Sequence, residues 1–377
     1  MARPPGLNTR CVHAAHAPDA AFGSLAEPIY LSTTFERDAD GGYARGFRYS
    51  REGTPNRTAL ETCVAALEGG VGGVAFSSGL AANMALIELL ERGDQLVAPV
   101  QGYYGTLKQF RDTAVRRGVK VTLVDFSDAS NVEAAVSAAT ALIWCETPAN
   151  PLLAITDLAR IVEIGRECEA QVVCDNTFAT PICQRPFDFG VDVVVHSGTK
   201  YLGGHSDVQS GLLVVRENGV LLERLREWQK LAGATLAPFD SWLLRRSIST
   251  LALRVRTQCA NAMSIAEFLT ERGSVERVYY PGLAAHPGHD IAARQMRGGF
   301  GAIISVCIKG GAEAAMAVAA RTQLFTRATS LGGVESLIEH RASIEGPGTA
   351  TPENLLRLSI GIEDAEDLIA DLDQALG

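Results

Sequence analysis

No apolar run in this chain approaches the roughly 18 residues of a membrane span, and Met1 to Arg10 lacks the apolar core of a signal peptide. The expected address is the cytoplasm, with no membrane partner. Basic runs longer than a dipeptide are also missing, and 34 Lys+Arg against 43 Asp+Glu leave a net charge of -9, which argues against a nucleic-acid partner. Cysteine is present but unorganised: Cys11, Cys63, Cys145, Cys168, Cys174, Cys183, Cys259 and Cys307 form no CxxC pair and no dense framework, so reduced, mostly buried thiols are expected. His286, His289 and Asp290 are the nearest approach to a metal cluster. Pro287 and Gly288 break the helix that usually presents such ligands, and no metal site is expected. What the chain does have is core material. Of its 377 residues 47% are hydrophobic and 20% charged, enough for a compact protein of two domains.

The first 48 residues carry Pro4, Pro5, Pro18, Pro28, Gly41 and Gly42 without periodicity and read as an extended arm that packs on a neighbouring subunit. From Thr54 the pattern changes. Thr54 suits a cap, Pro55 a first helical position, and Leu60, Val64 and Leu67 share one face before Gly69 and Gly70. Short branched runs then alternate with amphipathic stretches: Val74 to Phe76, Gln95 to Ala98, Val119 to Val124, Ala141 to Cys145, Gln171 to Cys174, Asp192 to Val195 and Leu212 to Val215. Helices are expected over Leu80 to Leu90 and Thr106 to Arg116. This is the pattern of a mostly parallel sheet covered by helices, an α/β fold, with ligands at the carboxyl ends of the strands. A long helical region over Phe239 to Thr270, strands at Ala302 to Cys307 and Leu355 to Ile360, and helices near Gly311 to Arg321 and Glu363 to Leu376 predict a smaller C-terminal α/β domain. The expected division is an arm over 1–48, a large domain over 49–250 and a small domain over 251–377.

Three features carry chemistry. Lys200 follows a predicted buried strand, between the hydroxyls of Ser197 and Thr199 and the turn at Gly203 and Gly204; a lysine so held loses its proton by desolvation and forms a Schiff base with a carbonyl. Asp175 follows another predicted strand; in a Schiff-base enzyme that used pyridoxal phosphate, a buried aspartate would be needed to keep the cofactor's ring nitrogen protonated. Ser77, Ser78, Gly79 and Leu80 open a helix behind Phe76 and aim its N-terminus at one point, a phosphate-binding arrangement.

Over nearly its whole length the chain resembles the pyridoxal-phosphate enzymes of cysteine and methionine metabolism, the group of cystathionine γ-synthase, cystathionine γ-lyase and methionine γ-lyase. The resemblance rests on Pro28 to Phe35, Tyr49 to Arg51, Ser77 to Ala81, Tyr103 to Thr106, Glu146 to Leu152, Asp175 to Pro181, His196 to Gly204, Ser330 to Ile338 and Leu356 to Asp364. It implies the fold-type I transferase architecture and pyridoxal phosphate as cofactor. Lys200 would hold the cofactor and move protons on the substrate, and Asp175 would pair with the pyridine nitrogen. Ser78, Gly79, Leu80, Ser197 and Thr199 would hold the phosphate, joined by Tyr49 and Arg51 of a neighbouring subunit; a homotetramer with shared sites follows. Tyr103, with Tyr104 as its rival, would stack on the cofactor ring and assist catalysis, and Asn150 would touch the ring oxygen. Arg357 would bind the substrate carboxylate, supported by Ser330, and Glu335 would meet a distal amine. An arginine in a predicted strand also needs a ligand or a buried carboxylate to balance it.

The resemblance implies γ-replacement on an O-acylhomoserine by a thiol such as cysteine. The alternatives are γ-elimination and substitution by an unusual nucleophile in a specialised pathway. Gly105 stands where methionine γ-lyases carry a cysteine, which argues against that branch. The segment Arg341 to Gly346 departs from the family and brings Arg341 and Glu345 to the substrate mouth.

Overall fold

In the computed structural model of the chain, residues 5–217, 219–345 and 351–377 are described; residues 1–4, which open the expected arm, and Gly346 lie outside them. The helix Pro55–Glu68 starts and stops where its residues dictate. The Thr54 hydroxyl accepts from the Arg57 N–H at 3.3 Å, and Gly69 closes the helix in the left-handed region at φ 86°.

Seven short strands follow: β1 (Gly72–Phe76), β2 (Gln95–Pro99), β3 (Lys120–Val124), β4 (Thr140–Glu146), β5 (Gln171–Asp175), β6 (Val193–Ser197) and β7 (Gly211–Val215). They form one sheet in the order β1-β7-β6-β5-β4-β2-β3, parallel except for β7, which runs antiparallel between β1 and β6. Because side chains alternate along a strand, each strand feeds two layers. Val74, Phe76, Val193 and Val195 pack with Leu86, Phe110 and Leu225 on one face, while Ile143, Val172 and Cys174 pack with Leu158 and Ile161 on the other. A fully buried branched side chain of this size contributes about 1.5–3 kcal/mol.

The second sheet comprises β8 (Val275–Tyr279), β9 (Ile303–Ile308), β10 (Thr326–Arg327), β11 (Leu337–His340) and β12 (Leu355–Ser359), in the order β10-β11-β12-β9-β8. Its pairs are antiparallel apart from β10 with β11. Three of these strands were not expected. β8 is an edge strand with exposed Glu276 and Arg277, β10 has two residues, and β11 has four and ends in Glu339 and His340.

The long helical region over Phe239 to Thr270 is two helices, Pro238–Ile248 and Leu251–Thr270. Ser249 and Thr250 separate them, and the Thr250 hydroxyl donates to the Ser247 carbonyl, a local bond that competes with the helical ladder. The helix expected over Thr106 to Arg116 starts at Tyr104 and widens into a π-turn over Gln109–Ala114. The start of the arm is not extended: Leu7–His13 is helical and docks on its own chain, with Arg245 donating to the carbonyls of Cys11, Val12 and Ala14. His286 lies in a bend, and His289 opens the helix His289–Gln295. His286 accepts from the Gly288 N–H, and His289 donates to the Pro281 carbonyl. Seven of the eight cysteines are buried, and all eight are free thiols. Among the described residues no helix is long and apolar enough to cross a membrane.

Candidate active site

The parallel strands bring their carboxyl ends to one edge. Glu146 at the end of β4 lies in register with Asp175 at the end of β5, and Asp175 with Val195 of β6. The loop after β6 is tight: the Lys200 N–H donates to the Ser197 carbonyl at 3.1 Å, and Gly204 donates back to the Lys200 carbonyl at 2.7 Å. Beside it, Ser78 caps the helix Gly79–Ile87 by accepting from the Ala81 N–H at 3.1 Å. The N–H groups of Gly79 and Leu80 stand in the first helical turn, where a helix has no acceptor of its own for them. This approach depends on Gly211 of β7, since a Cβ there would lie 2.0 Å from the Ser78 carbonyl oxygen.

These elements enclose a cavity of about 470 Å³. Ser78, Gly79 and Leu80 line one end, and Ser197, Thr199 and Lys200 lie next to them. Tyr103, Asn150, Asp175, Ser330 and Arg357 complete the set of expected residues in its wall. Tyr104 also lines it, so both tyrosines of the pair reach the cavity. The Tyr103 ring lies against Gly105, where a Cβ would come within 2.7 Å of it. Three expected residues are elsewhere. Tyr49 and Arg51 stack on each other, guanidinium carbon 4.9 Å from the ring centroid, outside this chain's cavity wall. Glu335 is turned away from the cavity and accepts a hydrogen bond from the Ser206 hydroxyl.

Burial decides the charge states. Lys200 is pulled down to about 8, first by desolvation and then by Arg357, with Glu339 opposing. Its ammonium donates to the Ser330 hydroxyl at 2.7 Å, and Ser330 holds a left-handed backbone at φ 85°, a strained choice for a residue with a Cβ. Asp175 is raised by burial, held back by its bonds from Thr177. Glu146 is pushed up to about 8 by burial and by Asp175. Two adjacent carboxylates do not both ionise easily, and Glu146, pushed up to about 8, mostly retains its proton at neutral pH. Glu146 also fixes the wall, accepting from the Tyr103 N–H at 2.8 Å and the Asn150 N–H at 2.9 Å.

Arg357 is buried in β12, and the buried carboxylate that balances it is Glu339, its register partner in β11. Arg357 donates to Glu339 at 2.6 Å, to Asn150 at 3.0 Å and to the Ser330 carbonyl at 2.9 Å. Sequence reading passed over Glu339 because β11 is too short to show periodicity; the need of Arg357 for a buried carboxylate was the available signal. Glu146 was likewise present only as part of a motif. Arg341 and Glu345 do line the cavity, buried and paired with each other rather than solvated.

An amine of lowered basicity, a buried carboxylate and a helix N-terminus thus face one cavity, a donor set that fits pyridoxal phosphate. Comparison with known proteins agrees. The family described as Cys/Met metabolism PLP-dependent enzyme matches residues 8–377. The chain is 48% identical over 378 residues to the cystathionine γ-synthase of Mycobacterium tuberculosis, covering 99% of this chain and 97% of that one. It is 46% identical over 379 residues to the cystathionine β-lyase of Coxiella burnetii, covering 98% and 97%. A solved structure of cystathionine γ-synthase from Xanthomonas oryzae pv. oryzae in complex with cystathionine superposes with a TM-score of 0.96 at 42% identity, covering 99% of this chain and 98% of that one. The chain belongs to the pyridoxal-phosphate-dependent enzymes of cysteine and methionine metabolism.

Proposed function

We propose that this protein catalyses γ-replacement, joining an O-acylhomoserine to cysteine to give cystathionine and the free carboxylic acid. The observation that carries the reading is the placement of two groups on either side of Ser330: Lys200 on its hydroxyl and Arg357 on its carbonyl. A base and a carboxylate-binding fork so close together suit an amino acid whose α-proton and carboxylate are on one carbon. Relatives similar over almost the full chain bear the name cystathionine γ-synthase.

When bound, the cofactor supplies an electron-accepting ring in conjugation with the substrate amine. Asp175 would meet the ring nitrogen, and Glu146, mostly protonated, would add no competing charge. The Gly79 and Leu80 N–H groups, with the hydroxyls of Ser78, Ser197 and Thr199, receive the phosphate at the helix N-terminus. Lys200 would hold the cofactor and, as a free amine, would take the α-proton and carry protons between substrate carbons. Tyr103 would cover the cofactor ring and Asn150 would meet its oxygen. Arg357, with Ser330, holds the carboxylate. We assign Tyr49 and Arg51 to a neighbouring subunit's phosphate, and Glu335 to the rim, where it meets a distal amine. The arm over 1–48, the large domain over 49–250 and the small domain over 251–377 would then build a cytoplasmic homotetramer. Exposed Phe22, Leu25 and Leu31 support the arm's part in it.

A second reading, cleavage of cystathionine, is favoured by the likeness to the Coxiella burnetii relative. Mass spectrometry of products from O-acetyl- and O-succinylhomoserine, with and without cysteine, and from cystathionine alone, separates the two. Cystathionine formed from an ester plus cysteine supports γ-replacement. Its absence, with cystathionine hydrolysed to a thiol amino acid, a 2-oxo acid and ammonia, establishes a lyase. The phosphate assignment has its own test. Gly211→Ala meets immovable backbone at Ser78, so it is expected to cost about 1–3 kcal/mol in urea unfolding and to weaken cofactor uptake by roughly tenfold or more.

A further inference from the structure

Arg341 and Glu345 line the cavity, yet each side chain is only 7% exposed. Buried charges are tolerated only when paired. Here the pairing forms a chain of alternating sign from Arg357 through Glu339 and Arg341 to Glu345. One oxygen of Glu339, Oε2, accepts from Arg357 Nη2 at 2.6 Å and from Arg341 Nη1 at 2.8 Å. Arg341 Nη2 donates to Glu345 Oε1, and the other Glu345 oxygen accepts from the Thr351 hydroxyl at 2.6 Å. Among the described residues, Glu339 Oε1 and Arg341 Nε are buried without a partner.

The Arg357 guanidinium is already occupied. Its Nη2 group serves both the Ser330 carbonyl and Glu339, and Nη1 serves Asn150. A carboxylate arriving across the Nη1–Nη2 edge must displace an acceptor, and Glu339 is the charged one. Glu339 then competes with substrate as a built-in carboxylate, and once released it would be buried and unpaired at a large cost unless another cation keeps hold of it. Arg341 is placed to be that cation.

We propose that Arg341 is a positioning residue that retains Glu339 while the substrate carboxylate takes the fork of Arg357, with Glu345 setting how much of Arg341 is available to Glu339. This rests on the reading of Arg357 as the carboxylate site. Arg341→Met leaves Glu339 to Arg357 alone. It is expected to raise KM for the acylhomoserine, and the inhibition constant of L-norvaline as an unreactive carboxylate probe, by about ten- to a hundredfold, with kcat changed by less than about threefold. Arg341→Lys, a cation of shorter reach, should fall between. Glu345→Gln frees Arg341 toward Glu339 and should leave KM at or below its original value. In a Glu339→Gln background, Arg341→Met should move KM by less than about threefold.

Equal effects of Arg341→Met in both backgrounds, an unchanged KM, or a raised KM in Glu345→Gln would each overturn the proposal. Should thermal melting or the visible absorbance of the holoenzyme show that Arg341→Met misfolds, Arg341→Lys and Glu345→Gln carry the test by the same criteria. Arg357→Lys separates the two levels. If it raises KM while Arg341→Met does not, the positioning role fails alone; if it leaves KM unchanged, the carboxylate reading fails with it.

Discussion

Lys200→Ala is expected to lower kcat by roughly 10³-fold or more, because one change removes both the covalent anchor and the base that transfers protons. The holoenzyme should lose cofactor on dialysis and should show no borohydride-stable link to the chain by mass spectrometry. Lys200→Arg should be equally inactive, since a guanidinium does not deprotonate in this pH range and does not condense with an aldehyde. The lowered basicity of Lys200 gives a second result. A lysine at its ordinary value of 10.5 is neutral in roughly 0.03% of molecules at pH 7, but one at about 8 is neutral in roughly a tenth. Cofactor uptake by the apoprotein should therefore accelerate by up to about tenfold per pH unit below pH 8 and level off above it. A rate still rising steeply at pH 9 would contradict the desolvated environment. Recovery of substantial turnover in Lys200→Ala would end its assignment as the base.

Much of this arrangement was legible in the chain because the chemistry sits at strand ends. Branched runs such as Val193 to Val195 and Val172 to Cys174 are too apolar for anything but buried strands, so the positions of Asp175 and Lys200 at a sheet edge followed from period and burial. Gly211 and Gly105 were harder. Their value lies in what another segment places beside them, the Ser78 carbonyl and the Tyr103 ring, and no local pattern encodes that. Glu339 was hidden for a different reason: a four-residue strand has no periodicity, and its register with Arg357 is a long-range fact. Glu335 is also placed by a long-range contact. It follows Ser330 closely in sequence, yet the turn at Gly332 and Gly333 directs it to Ser206 while Glu339, on the strand beyond, enters the cavity wall. The single chain leaves Tyr49 and Arg51 outside its own cavity, and their expected role needs a second copy.

Asp175→Asn should separate stability from catalysis. In the apoprotein Asp175 is a half-buried carboxylate in the cavity wall with no cation bonded to it among the described residues, and desolvation raises its pKa. A group whose folded pKa is raised stabilises the fold when protonated and loses that contribution as pH rises through the folded value, so once ionised its charge is a liability. Asparagine is nearly the same shape and uncharged, and it also relieves Glu146 of the neighbour that helps push it up to about 8. The apoprotein of Asp175→Asn should therefore melt at a higher temperature than the parent at pH 8, by roughly 1–4 °C, with the difference shrinking as pH falls and Asp175 takes up a proton. Catalysis should move the other way. Without a negative charge at the ring nitrogen, the electron-accepting form is no longer favoured, and kcat should fall by about 10²–10³-fold while the cofactor still binds through Lys200 and the helix N-terminus. Asp175→Glu keeps the charge but extends it by a methylene into a site closed by Val195 and Thr177, and should recover only part of the loss. A lower melting temperature in Asp175→Asn would mean that the carboxylate is a structural group. An unchanged kcat would place the ring nitrogen elsewhere in the cavity, and the assignment of every residue around it would have to be rebuilt from that new position.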